Sequence, residues 1–142
     1  MKRFEFLEHV SDAYIAAYGK TLEEAFQNAA EAMFQTMIET ETVAPKLEEK
    51  VTAEGRDREA LLYNWLETLL LKFDMEGKVY SKFKIEKIEK RDGEFALKAT
   101  IRGEPYDANK HRPKVEVKAV TYHQMEIKEQ KRGYELKFIL DL

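Results

Sequence analysis

The groups in this sequence with the most scope for chemistry are oxygen anions at its two ends. Asp141 precedes Leu142, where the sequence stops, so its side chain is expected beside a terminal carboxylate. Like charges held that close repel each other, and the pair favours a cation or a basic partner. Two solvated groups at a chain end are the plainer reading. Asp12 stands where one extended piece gives way to the next. Terminal strands of a small sheet often lie side by side, which would bring Asp12 to Asp141 and the Leu142 carboxylate. Three carboxylates with no nitrogen or sulfur ligand suit a hard ion such as Ca²⁺ or Mg²⁺. An aspartate that merely caps a turn is the alternative for Asp12.

Other chemistries fall away by elimination. The chain has no cysteine, which removes disulfides, thiolate metal sites and a cysteine nucleophile. His9, His111 and His123 are far apart and show no HExxH spacing. Ser11 sits near His9 and Asp12, yet sequence proximity does not build a triad, and no nucleophile-elbow pattern is present. The six glycines are isolated between elements, so neither a P-loop nor a dinucleotide fingerprint exists. The stretch Asn109-Lys110-His111-Arg112-Pro113-Lys114 gathers basic groups near Lys118, either to face phosphates or an acidic partner or as a solvated loop.

Composition sets the frame for these groups. At 142 residues, with 44% hydrophobic and 11% aromatic residues, the chain can build its own core as a single domain, 1–142. Its 24 basic and 27 acidic groups are mixed along the chain, and the net charge of -3 excludes binding to nucleic acid by bulk charge. No run approaches the ~18 apolar residues of a membrane span, and the N-terminus lacks a signal-peptide pattern. A cytoplasmic protein is expected.

The elements that must position the acids follow from periodicity. Phe4 and Phe6 alternate with Arg3 and Glu5 in a first strand from Lys2 to Glu8, and Ala13 to Tyr18 forms a second extended piece. Thr21-Leu22-Glu23-Glu24 has capping-box spacing and opens a helix running to about Ile38. Its apolar stripe is Leu22, Ala25, Phe26, Ala29, Met33 and Met37. Leu47 to Glu54 reads as a short strand. Asp57 caps a second helix from Arg58 to about Asp74, which is more thoroughly apolar and therefore expected to be the better buried. Gly77 ends it.

From Val79 the period is two, with Ile88 out of phase, which predicts a bulge. Asp92-Gly93 predicts a tight hairpin. Phe95 to Ile101 return, and 102–113 form a loop. A strand from Lys114 places Val115, Val117 and Ala119 on one face, and Lys118 joins Thr121 on the other only if the register slips. After the turn Lys131-Arg132-Gly133, the last strand turns Leu136, Phe138 and Leu140 to the core and Asp141 away from it. This order predicts an α+β fold with a mainly antiparallel sheet and two helices packed on one face.

Several stretches together resemble the archease family. They are Phe6 to Asp12, Gly19 to Phe26 with Ala30, Ala32 and Met33, Leu61 to Leu66, Gly103-Glu104-Pro105, Val117 to His123, and Leu140-Asp141-Leu142. They span the chain in the family's order, with Val10 where threonine is frequent. The resemblance implies a protein cofactor of the RtcB-type RNA-splicing ligase, which joins tRNA halves after intron removal. Such a cofactor promotes guanylylation of the ligase's active-site histidine, supports multiple turnover and broadens the nucleotide accepted. The resemblance also implies a divalent ion, Ca²⁺ first and Mg²⁺ second, on the residues matching Asp12 and Asp141. It implies a functional lysine at Lys118. The Leu142 carboxylate joins this set by the geometry above, and His9, Lys118, His111 and Arg112 are candidate partner contacts. On this reading the chain is not itself an enzyme. Two rivals use the same residues: a metal-dependent phosphohydrolase or nucleotide binder on the carboxylates, and a tRNA-binding chaperone on Lys110, Arg112 and Lys114.

Overall fold

Two antiparallel sheets organise the chain, where periodicity alone suggested one. The computed structural model describes residues 2–7 and 11–142. The first sheet has the order β1-β2-β7-β6, built from β1 (Phe4–Leu7), β2 (Asp12–Gly19), β6 (Ala119–Gln130) and β7 (Gly133–Asp141). The second is β3-β5-β4, from β3 (Leu47–Gly55), β4 (Lys78–Arg91) and β5 (Glu94–Pro105). The chain's two ends thus share one sheet, with β2 and β7 side by side at its centre.

The helices α1 (Leu22–Met37) and α2 (Arg58–Glu76) each touch both sheets. Helix α1 lies against β2 and β7 of the first sheet and β4 of the second, while α2 lies against β3 and β6. They do not cover one face of a single sheet; they join two sheets through a shared core. Ile15, Phe26, Met33, Trp65, Leu69, Ile101 and Phe138 are buried together there.

Local chemistry starts both helices as the sequence predicts. The Thr21 hydroxyl accepts from the Glu24 N–H at 3.1 Å, and the Glu24 carboxylate accepts from the Lys20 N–H at 3.2 Å. Asp57 accepts from the Ala60 N–H at 2.7 Å. Gly77 closes α2 in the left-handed conformation, φ 63°. The burial ranking is the reverse of expectation. Ten of sixteen residues are buried in α1 against seven of nineteen in α2. Small Ala25, Ala29, Ala30 and Ala32 let neighbours close around α1, whereas α2 leaves Leu71 and Met75 exposed.

The hairpin at Asp92-Gly93 has positive φ at both positions, 49° and 81°, and joins β4 to β5. The predicted bulge near Ile88 lies between Ile85 and Lys87, and a second lies between Tyr80 and Lys82. That second shift explains how Val79 and Tyr80 are both buried. The expected strand from Lys114 does not form until Ala119. Residues 112–118 are irregular, and the phase slips so that Val117 and Val120 are buried while Ala119 is exposed. The expected loop 102–113 is shorter too, because β5 reaches Pro105 and a single helical turn, α3 (Ala108–His111), follows. Among the described residues no helix is long and apolar enough to cross a membrane.

Candidate functional site

The pairing of β2 with β7 sets Asp12 directly opposite Asp141. Their neighbours in register, Ala13 and Leu140, pack toward the core. Alternation therefore sends both carboxylates to the other face. Directly opposed side chains of an antiparallel pair have Cβ atoms roughly 4.5–5.5 Å apart, and like charges so placed destabilise the sheet. Asp141 is exposed and Asp12 half-buried. On its other side Asp141 is opposite Ala119 of β6, whose methyl group is small.

Two further features fix this corner. The Lys118 N–H donates to the Asp141 backbone carbonyl at 2.7 Å, which holds the Lys118 backbone beside the end of β7 and leaves its side chain exposed. Leu142 is partly buried against the core, which holds the end of β7 in place. Neither Lys118 nor Asp141 forms a salt bridge among the described residues. The oxygen donors fit a hard divalent ion. Among the described residues, however, no three His, Cys, Asp or Glu side chains converge. An ion here would draw on the Asp12 and Asp141 side chains and water. His9, a sequence candidate for partner contact, lies outside the described residues.

The basic loop has a different arrangement from the one the sequence suggested. His111 is fully buried and faces inward rather than toward a partner. Its Nδ1 accepts from the Asp107 N–H at 3.0 Å, which leaves the proton on Nε2, 2.8 Å from Glu104 Oε2. Lys110 Nζ lies 2.9 Å from Glu104 Oε1, and the Ala44 N–H donates to Oε2 at 2.8 Å. The Lys110 ammonium, then the Ala44 N–H and His111, hold the Glu104 carboxyl down at about 2. Lys114 is also engaged, donating to the Gln35 carbonyl at 2.9 Å. Arg112 alone of these candidates points its charge to solvent without a bond among the described residues, in the left-handed conformation at φ 53°.

Glu104 received no role from the sequence, though it lies in the Gly103-Glu104-Pro105 stretch. The available signal was its spacing: an acid six and seven residues before Lys110 and His111. Its network fastens the segment after β5 to the exit of α1, where the Glu39 N–H also donates to the His111 carbonyl at 3.0 Å. That segment runs on to Lys118. The clamp is thus structural support for the acid corner rather than part of it.

Comparisons with known proteins agree with the fold and cover nearly all of the chain. The model of the archease protein family matches residues 4–142. Protein archease of Sulfurisphaera tokodaii is 44% identical over 142 residues, with 100% of both chains covered. The solution structure of Methanobacterium thermoautotrophicum protein 1598 is similar at a TM-score of 0.85 and 40% identity, covering 100% of each chain. A Thermotoga maritima crystal structure, described as an archease and possible chaperone, shares the fold at a TM-score of 0.59 and 16% identity, covering 97% of this chain and 96% of that one.

Proposed function

The chain belongs to the archease family, and from that premise we propose that it is an accessory protein of an RtcB-type RNA-splicing ligase. It promotes guanylylation of the ligase's histidine, sustains turnover and widens the choice of nucleotide. It acts in the cytoplasm, is not itself an enzyme, and makes an indirect or weak contact with tRNA. The observation that carries this reading is the Asp12–Asp141 cross-strand pair. Two carboxylates directly opposed on a sheet bring oxygen donors from two strands to one place, as a hard cation requires. A divalent ion on the pair, Ca²⁺ before Mg²⁺, relieves the repulsion and presents a positive centre to the ligase's nucleotide. Metal ions in nucleotidyl transfer neutralise charge on the phosphates and orient them for attack. Lys118, held at the same corner, supplies a second cation toward that site.

The test is guanylylation of the purified ligase with and without this chain, titrated with Ca²⁺, Mg²⁺ and chelator. Stimulation should depend on the metal and fall in Asp141→Ala. Full stimulation by the Asp141→Ala chain would defeat the proposal. Turnover of nucleotide or RNA by the isolated chain would instead favour the hydrolase reading. A general chaperone role, the description given to the Thermotoga relative, draws on one observation. Leu71 and Met75 are large apolar side chains 46% and 79% exposed on the same helix.

A further inference from the structure

The opposite end of the β2–β7 pair carries a second, basic site. Strand β2 runs from Asp12 to Gly19, so that end lies roughly 23 Å from the acid corner at ~3.3 Å per residue. A cavity of about 530 Å³ opens there, lined by Lys2, Glu5, Tyr18, Lys20, Arg132 and Tyr134 among others. Its size falls within the range of small-ligand sites, about 300–1,000 Å³. Three cations face one carboxylate, and that carboxylate is already engaged. Glu5 accepts from the Tyr18 hydroxyl at 2.9 Å and pairs with Lys2 at 3.3 Å. Lys20 and Arg132 are exposed and form no ion pair among the described residues. The floor between them is bare backbone. A Cβ on Gly133 would stand 2.2 Å from the Gly19 carbonyl oxygen, so both strands approach without side chains.

The two rings give the cavity its apolar character. Burial and the bond to Glu5 push the Tyr18 hydroxyl up to about 12, so the ring stays neutral. The Tyr134 hydroxyl is turned to Glu129 at 3.1 Å. An anion alone would need only the cations, and an apolar ligand only the rings. We propose that this cavity binds a nucleotide, with its phosphate on Lys20 and Arg132 and its base against the rings of Tyr18 and Tyr134. Arginine and lysine recognise phosphate by charge-assisted hydrogen bonds, and aromatic faces accept any base by stacking. The same chemistry is offered by a free mononucleotide and by the terminal nucleotide of an RNA strand.

The full chain, labelled with nitrogen-15, is titrated separately with AMP, inorganic phosphate and a 5′-phosphorylated tetraribonucleotide while its amide resonances are followed. AMP should shift Gly19, Lys20 and Gly133 saturably. The Lys20→Ala/Arg132→Ala variant should bind at least tenfold more weakly, and Asp141→Ala should bind as well as the parent. That last arm separates this site from the metal corner. Tighter binding of the oligonucleotide assigns the site to an RNA end, and equal binding assigns it to free nucleotide; both support the proposal. Both substituted residues are exposed, so the variant's amide spectrum should keep its dispersion; if it does not, Arg132→Ala alone serves. Absent shifts, shifts confined to other residues, unchanged affinity in the variant, or inorganic phosphate binding as tightly as AMP would each overturn it.

Discussion

The two ends of one strand pair teach opposite lessons about charge. At one end of β2–β7, Asp12 and Asp141 oppose each other across the ladder. At the other, Lys20 and Arg132 flank a backbone floor formed where Gly19 meets Gly133. The same eight-residue register produces both, since it fixes which residue stands opposite which. The acid end concentrates charge by setting like residues opposite each other. The basic end spreads its charge over flexible exposed side chains, which costs little.

The comparison can be broken most severely at the basic end's floor. Gly133 has φ 146°, and an added Cβ would meet backbone oxygen. Gly133→Ala should lower stability by about 3 kcal/mol in urea denaturation, while a metal titration of the surviving fold stays unchanged. Equal stability would mean that the strands can separate there without loss.

The Glu104 clamp tests whether the acid corner depends on support from outside its own strands. Glu104→Ala leaves His111 buried without its partner and should cost about 2–3 kcal/mol. Its pH dependence has a definite sign. The folded carboxyl lies at about 2 against an ordinary 4.5. Its contribution is therefore present above about pH 4.5 and is lost as pH falls through about 2. Acid denaturation of Glu104→Gln, which cannot titrate there, should lack that part of the slope. A slope identical to the parent's would remove Glu104 from the account.

A smaller effect sharpens the comparison at the acid end. Without metal, Asp141→Asn removes one member of a like-charged pair and should leave stability unchanged or raise it by up to about 1 kcal/mol. Thermal melts in chelator read this directly, and a marked loss would show that Asp141 serves the fold.

Much of this was legible in the sequence because it is local. The Thr21 and Asp57 caps, the left-handed Gly77 and the Asp92-Gly93 hairpin depend on a few adjacent residues and form as their chemistry dictates. The meeting of Asp12 with Asp141 was expected from elements near the two chain ends lying side by side, although the second strand, β2, and not the terminal β1, pairs with β7. Non-local partners were not. Periodicity cannot say that β4 joins β5 and β3 in a sheet of their own, because a strand's pattern records a buried face and not its neighbour. The irregular path of 112–118 was hidden for a similar reason. Val115 and Val117 alternate well, but Lys114 is drawn onto the end of α1, where its N–H donates to the Met37 carbonyl at 2.8 Å. His111 looked like a surface cation until Glu104 supplied it with a buried partner.

The most direct test of the central contrast is a calorimetric titration of the chain with Ca²⁺ after chelator treatment, repeated for Asp12→Asn, Asp141→Asn and Lys20→Ala/Arg132→Ala. One ion should bind the parent and the basic-end variant alike, and each aspartate substitution should weaken it at least tenfold. Calcium affinity that is unchanged by both aspartate substitutions would contradict the account.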